Sequence, residues 1–268
     1  MKIKELWIYP VKSLAGNAVS SAILATRGFE DDRRWMLIDE NGRFISQRQH
    51  AHLARWQART EADDLVLEHL DNGQQLRISA ARADEGPLVE VEVWDDRLSA
   101  CLVESVSPEE LHEALGISCR LVYMSEDSNR PLDPRYAQGE ERVSFADGYP
   151  YLVANQASLE ALAAEVGEEL TMQRFRPNIV VEGPPAFAED NWQSLQIGEQ
   201  TFRLPKPCAR CVVITIDPET TVKNPRVFAT LAEMHSQEKK VIFGMNACWE
   251  GKDEAVLQVG GSVSVRVG

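Results

Sequence analysis

No uninterrupted stretch of about 18 apolar residues occurs in the chain, so no transmembrane helix is expected. The N-terminus, Met1 to Ile8, carries two lysines but too short an apolar stretch for a secretory leader, and reads as a first strand in a cytoplasmic protein. Basic residues are scarce. Twenty-eight Lys and Arg face 42 Asp and Glu, a formal net charge of −14. Such a surface repels polyanions at long range, so neither nucleic acid nor an anionic membrane is an expected partner. The cysteines number five, at 101, 119, 208, 211 and 248, an odd count that does not make a disulfide framework. Cys101, Cys119 and Cys248 read as core thiols. The five histidines have no finger-like spacing, and His50 and His52 read as surface residues. There is no G-x-G-x-x-G after a strand and no Walker loop, which removes the usual nucleotide cradles.

Turn signals and β-patterned runs dominate what is present. Glu40-Asn41-Gly42, Asp71-Asn72-Gly73 and Asp95-Asp96-Arg97 each separate two strand-like segments and predict hairpins: 34–38 with 43–48, 65–70 with 75–79, and 88–94 with 98–103. A further hairpin is predicted over 195–204 around Gly198, and strands over 178–181, 211–216, 241–247 and 255–267, the last pair turning at Gly260-Gly261. Helices are predicted from a Ser107 cap with Pro108 at the first position to near Gly116, from an Asn155 cap to Val166, and over 225–235. The polar stretch 125–138, with Pro131 and Pro134, reads as a boundary. The expected fold is α+β, mostly β, with about three helices. The helices do not alternate regularly with strands, which argues against a doubly wound sheet. The expected units are 1–124 and 125–268.

The chemistry concentrates in Pro207-Cys208-Ala209-Arg210-Cys211. A C-x-x-C can be half a zinc site, but no second pair exists to complete four ligands. It can be a redox dithiol at a helix N-terminus, but a strand-like run follows here. It can present one thiolate beside a cation, with Arg210 adjacent, suited to a soft or high-valent metal. Elsewhere, Lys12 and Ser13 follow the first strand, Asp32-Arg33-Arg34-Trp35 opens another, and Arg174-Phe175-Arg176-Pro177-Asn178 precedes a third. These cations at strand ends suit an anionic ligand, arginine reading phosphate through its planar fork.

Taken together, Tyr9-Pro10-Val11-Lys12-Ser13, Asp32-Arg33-x-Trp35 with Ser46-Gln47-Arg48, Phe175-Arg176-Pro177-Asn178-Ile179-Val180 and Pro207-Cys208-x-Arg210-Cys211 resemble the MOSC family with its N-terminal β-barrel region, over essentially the whole chain. Within it, the sequence is similar to the mitochondrial amidoxime-reducing component and its bacterial relatives. The resemblance implies a β-barrel core with a barrel-like N-terminal region. It implies a molybdenum–molybdopterin cofactor rather than pyridoxal phosphate, with Cys211 as metal ligand and Lys12, Ser13, Arg33, Asp147, Gly148, Tyr149, Arg176, Asn178 and Arg210 as cofactor contacts. Asp147 is also a candidate helper in proton delivery. The implied reaction is reduction of N-hydroxylated small molecules: hydroxylamines, amidoximes or N-hydroxylated bases. The chain has no plant-type C-x4-C-x2-C cluster motif and no N-terminal membrane anchor, so electrons are expected from a separate ferredoxin- or cytochrome-type donor. The alternatives are a non-enzymatic cofactor or sulfur carrier with a reactive cysteine, and a zinc-stabilised structural domain.

Overall fold

The computed structural model describes residues 1–251 and 254–268. In chain order the strands are β1 (Lys2–Ile8), β2 (Asn17–Val19), β3 (Ser21–Ala25), β4 (Gly28–Phe29), β5 (Trp35–Ile38), β6 (Trp56–Glu61), β7 (Asp64–His69), β8 (Gln75–Ser79), β9 (Leu88–Val93), β10 (Asp96–Leu102) and β11 (Arg120–Tyr123). They continue with β12 (Tyr151–Asn155), β13 (Ile179–Glu182), β14 (Trp192–Ile197), β15 (Gln200–Ala209), β16 (Ser236–Gln237), β17 (Lys240–Trp249), β18 (Ala255–Gln258) and β19 (Val263–Val267). The helices are α1 (Pro108–Leu115), α2 (Gln156–Val166) and α3 (Pro225–Met234). The fold is α+β and mostly β, as expected.

The largest sheet runs β19-β14-β15-β17-β12-β13-β1-β2. It curls until its ends meet: the amide of Ile3 donates to Gly261 O at 2.9 Å and that of Val263 to Met1 O at 3.0 Å, which joins β1 to the start of β19. Alternation then splits the side chains into two sets. Ile3, Leu6, Val153, Ile179, Val181, Leu195, Phe202, Met245 and Ala247 fill the barrel interior. Trp7, Ala154, Val180 and Phe243 face outward and are covered by Leu159 and Leu162 of α2 and Val227 and Leu231 of α3. A second body is built from the four-stranded sheet β5-β11-β10-β9 and the three-stranded sheet β6-β7-β8, with α1 closing the core between them.

Local chemistry explains the elements that match. Ser107 accepts from Glu110 N and Glu110 accepts from Ser107 N, a complete capping box, and Gly116 ends α1 in the left-handed region at φ 70. Asn155 caps α2 by accepting from Ala157 N. The hairpins β7–β8 and β14–β15 form around Gly73 and Gly198.

Four expectations are corrected. Residues 43–48 are not a strand: Phe44 makes a single bridge to Ile38, and the amides of Gln49 and His50 then donate to Ser46 O, which turns Gln47 and Arg48 away. The β9–β10 turn sits earlier, on Trp94 and Asp95, so Asp96 pairs with Val93. The run after Cys211 is not a strand but a 3-10 turn, Val212–Thr215, with Cys211 at its N-cap; the Thr215 hydroxyl donates to Val212 O and keeps the backbone from joining a ladder. The strand argument against a dithiol therefore fails. Last, β18 and β19 do not pair with each other; β18 joins β3 and β19 joins β14.

Candidate functional site

The loops at one end of the barrel enclose a cavity of about 430 Å³ where barrel and N-terminal body meet. All ten residues nominated from the sequence line it: Lys12 and Ser13 after β1, Arg33 before β5, Asp147, Gly148 and Tyr149 before β12, Arg176 and Asn178 before β13, and Arg210 and Cys211 after β15. Residues not nominated also line it, among them Phe44, Gln47, Arg48, Trp94, Phe175, Cys208 and Asn246. The Ser46-Gln47-Arg48 motif was a signal for two of these. Trp94 had none, because its side chain arrives from a hairpin far away in sequence.

Three nominated residues hold unusual backbone conformations. Ser13, Arg33 and Arg176 have φ of 72, 51 and 54. Non-glycine residues rarely occupy this region, and such strain concentrates at functional sites. Here the left-handed turn aims each side chain into the cavity from the end of a strand.

Lys12 is 5% exposed. Its ammonium donates to Phe145 O at 2.7 Å and to Asp147 Oδ1 at 2.7 Å. Burial pushes its pKa down to about 8, against the upward pull of Asp147. The Asp147 side chain is 75% exposed and opens on the cavity. Crowding by the site raises its pKa, but the charge and hydrogen bond of Lys12, the Trp94 indole N–H at 3.1 Å and Arg33 outweigh that and hold it well below the usual carboxylate range. With one partner so exposed, this pair contributes little to stability.

Arg33 donates to the buried Asp32 carboxylate at 2.6 Å, to Asn178 Oδ1 at 3.1 Å and to Arg176 O at 3.0 Å. Asn178 Nδ2 donates to Trp7 O, and its Oδ1 also accepts from Leu152 N. Its amide is thus committed to tying β1, β12 and Arg33 together, a positioning job. Arg176 donates to Leu14 O at 2.6 Å; burial first, then Arg33, lowers its pKa to about 10. The guanidiniums of Arg33 and Arg176 lie 4.2 and 4.3 Å from the centroid of the Tyr9 ring. Gly16 makes room for that ring, since a Cβ there would meet it at 2.4 Å.

Arg210 donates to Phe175 O at 2.8 Å and to Cys208 Sγ at 3.1 Å. The cation beside the thiols thus addresses Cys208 directly. Both thiols line the cavity. Among the described residues no group of three or more His, Cys, Asp or Glu converges, so a four-ligand zinc centre lacks donors.

The lining carries Lys12, Arg33, Arg48, Arg176 and Arg210 against Asp147 alone, in a chain of net charge −14. Arg176 and Arg210 reach no carboxylate among the described residues, and Arg210 Nε is buried without a partner. These features suit a large anionic ligand placed against a thiol. Fold and site thus define a β-barrel protein with a cation-lined, thiol-bearing cavity at the barrel's loop end.

Comparison with known proteins agrees. Residues 1–107 match the MOSC N-terminal beta barrel domain and residues 140–267 the MOSC domain. The chain belongs to the MOSC family. It is similar to mitochondrial amidoxime-reducing component 1 of Mus musculus, with 30% identity over 83% of this chain and 67% of that protein. The Homo sapiens counterpart is 28% identical over 82% of this chain and 67% of its own length. Molybdenum cofactor sulfurase of Homo sapiens is 28% identical over 97% of this chain, which spans 32% of that longer protein.

Proposed function

We propose that this chain is a molybdenum-cofactor oxidoreductase that reduces N-hydroxylated small molecules, with electrons from a separate redox protein. The observation that carries the reading is the cavity in which five cations and one acid surround Cys211, in a relative of amidoxime-reducing components. A molybdenum–molybdopterin cofactor held there supplies the two electrons that, with two protons, convert N–OH to N–H and water.

The chain's own residues supply the rest. The Cys211 thiolate offers a soft donor to the metal. Arg176 and Arg210, with Arg33 held by Asp32 and Asn178, neutralise the ligand's anionic groups through planar forks. Ser13 and the Gly148 and Tyr149 segment line the walls. Asp147 stays ionised, so its part in proton delivery is to hold the Lys12 ammonium, the proton source, at 2.7 Å beside the cavity.

Protein from a cofactor-competent host is expected to carry about one molybdenum per chain and to reduce a hydroxylamine or amidoxime with an artificial donor. Cys211→Ser is expected to abolish turnover without loss of fold, and Cys208→Ser to keep it. Full turnover by Cys211→Ser with bound cofactor would falsify the assignment. A second reading, a cofactor or sulfur carrier, draws on the match to molybdenum cofactor sulfurase and on the two thiols in one cavity. It predicts a persulfide mass shift on Cys208 or Cys211 without molybdenum.

A further inference from the structure

A second cavity, of about 510 Å³, adjoins the first, and the two share Phe44, Arg48 and Trp94 as a common wall. The Arg48 guanidinium lies 4.4 Å from the Trp94 ring centroid and 5.7 Å from that of Phe44. Its only side-chain partner among the described residues is the Ser46 hydroxyl, at 3.3 Å. The other arginine of this cavity, Arg43, is turned to Glu92 at 3.8 Å, and the second acid of the lining, Asp39, is engaged by the amides of Asn41 and Arg43. In a chain with 42 acidic residues, an arginine held between two aromatic faces at the junction of two cavities, paired with no carboxylate among the described residues, has its fork free for an anion from outside. His50 adds an imidazole on the same side, which burial and the neighbouring His52 bias toward the neutral form.

The rim also has an orienting device. Trp94, at φ 58, is held in a strained turn, and its indole N–H reaches Asp147 in the first cavity while its ring walls the second. The Phe44–Trp94 wall runs from the first cavity into the second. Resting on the reductase reading above, we propose that the second cavity is a substrate subsite for planar aromatic N-hydroxylated compounds that carry an anionic substituent, with Arg48 as its receptor. The aromatic wall takes the ring and Arg48 takes a carboxylate or phosphate on the side remote from the N–OH group.

The test uses one ring with three charges: benzamidoxime, 4-carboxybenzamidoxime and 4-(trimethylammonio)benzamidoxime. Binding to molybdenum-loaded protein is followed by calorimetry and turnover with an artificial donor. The carboxylate derivative is expected to bind about tenfold more tightly than the cationic one, the effect of one charge-assisted bond at a half-open site. Arg48→Gln is expected to erase that ordering when affinity is referred to the molybdenum-loaded fraction of each protein, and Arg48→Lys to restore part of it. Equal affinity for all three in the unsubstituted protein, or an ordering that survives in Arg48→Gln, overturns the subsite. Binding in the expected order without turnover of any of the three leaves the subsite standing and removes the reductase reading instead.

Discussion

At the residue scale, Tyr9 shows how the site pairs like charges. Arg33 and Arg176 repel each other, and the electron-rich face of one phenol ring lies against both, a contact of about 0.5–2 kcal/mol each in cation–π terms. The hydroxyl contributes nothing to this; it is buried without a hydrogen-bond partner among the described residues. Tyr9→Phe is therefore expected to keep molybdenum content and to hold or raise the melting temperature. Tyr9→Leu removes the ring face and is expected to lose molybdenum by elemental analysis. Lys12 gives a pH dependence. Its folded pKa, about 8, lies below its ordinary 10.5. Below pH 8 the native state bears the cost of a buried charge; between about 8 and 10.5 the unfolded state binds more protons, so the contribution of this group to stability rises with pH there. Anion binding has the opposite sign, since an anion needs the ammonium. Affinity for inorganic phosphate, measured by calorimetry, is expected to fall as pH passes 8, and Lys12→Met is expected to flatten that profile. A profile unchanged in Lys12→Met assigns the dependence elsewhere.

At the element scale, the site is a property of strand ends. Five segments, following β1 and β15 and preceding β5, β12 and β13, deliver all the nominated groups, and rigid strands behind them fix where each side chain lands. The α1 cap is remote from this and serves stability only. Ser107→Ala removes the hydroxyl half of the capping box, while the Ser107 N–H still donates to Glu110, and is expected to cost about 1 kcal/mol in denaturant unfolding, with molybdenum content unaltered. The hairpin at Trp94 teaches the reverse lesson. It has no Asn-Gly to make a tight turn easy, and the residue that takes the positive φ is the one whose indole reaches Asp147.

At the scale of the whole molecule, the proposed division into 1–124 and 125–268 meets a strand that crosses it. β1 belongs to the first unit by sequence, yet it pairs with β13 and bonds the start of β19. Without it, two barrel edges and the interior around Leu195 and Phe202 face water. Residues 125–268 expressed alone are expected to be insoluble or molten by near-ultraviolet circular dichroism, and co-expression with 1–124 to rescue them. A soluble, cooperatively folding 125–268 fragment shows that β1 is dispensable for the barrel.

Much of the site was legible because its signals are local. A lysine after a strand, arginines before others and a C-x-R-C are readable in runs of five or six residues, and family resemblance tied them to one ligand. The helices were legible for the same reason: caps, prolines and periodicity act within a turn or two. Failures came where a distant partner decides. Cys211 to Ile216 is β-branched and apolar, but the Thr215 hydroxyl and the packing of Ile214 below the site make it a 3-10 turn. Residues 43–48 carry a strand pattern, yet only Phe44 finds a ladder partner on β5. Trp94 and Arg48 were invisible as a rim, since nothing in either segment says that the two meet there. The sequence alone determined the kind of chemistry: cations, a thiol pair and a mostly β framework in an acidic chain. Only the tertiary structure decided that ten dispersed residues share one cavity, that Arg210 turns to Cys208, and that a second cavity opens behind Arg48. The reason is that side-chain convergence depends on sheet closure and on contacts between segments over a hundred residues apart, which no local pattern encodes.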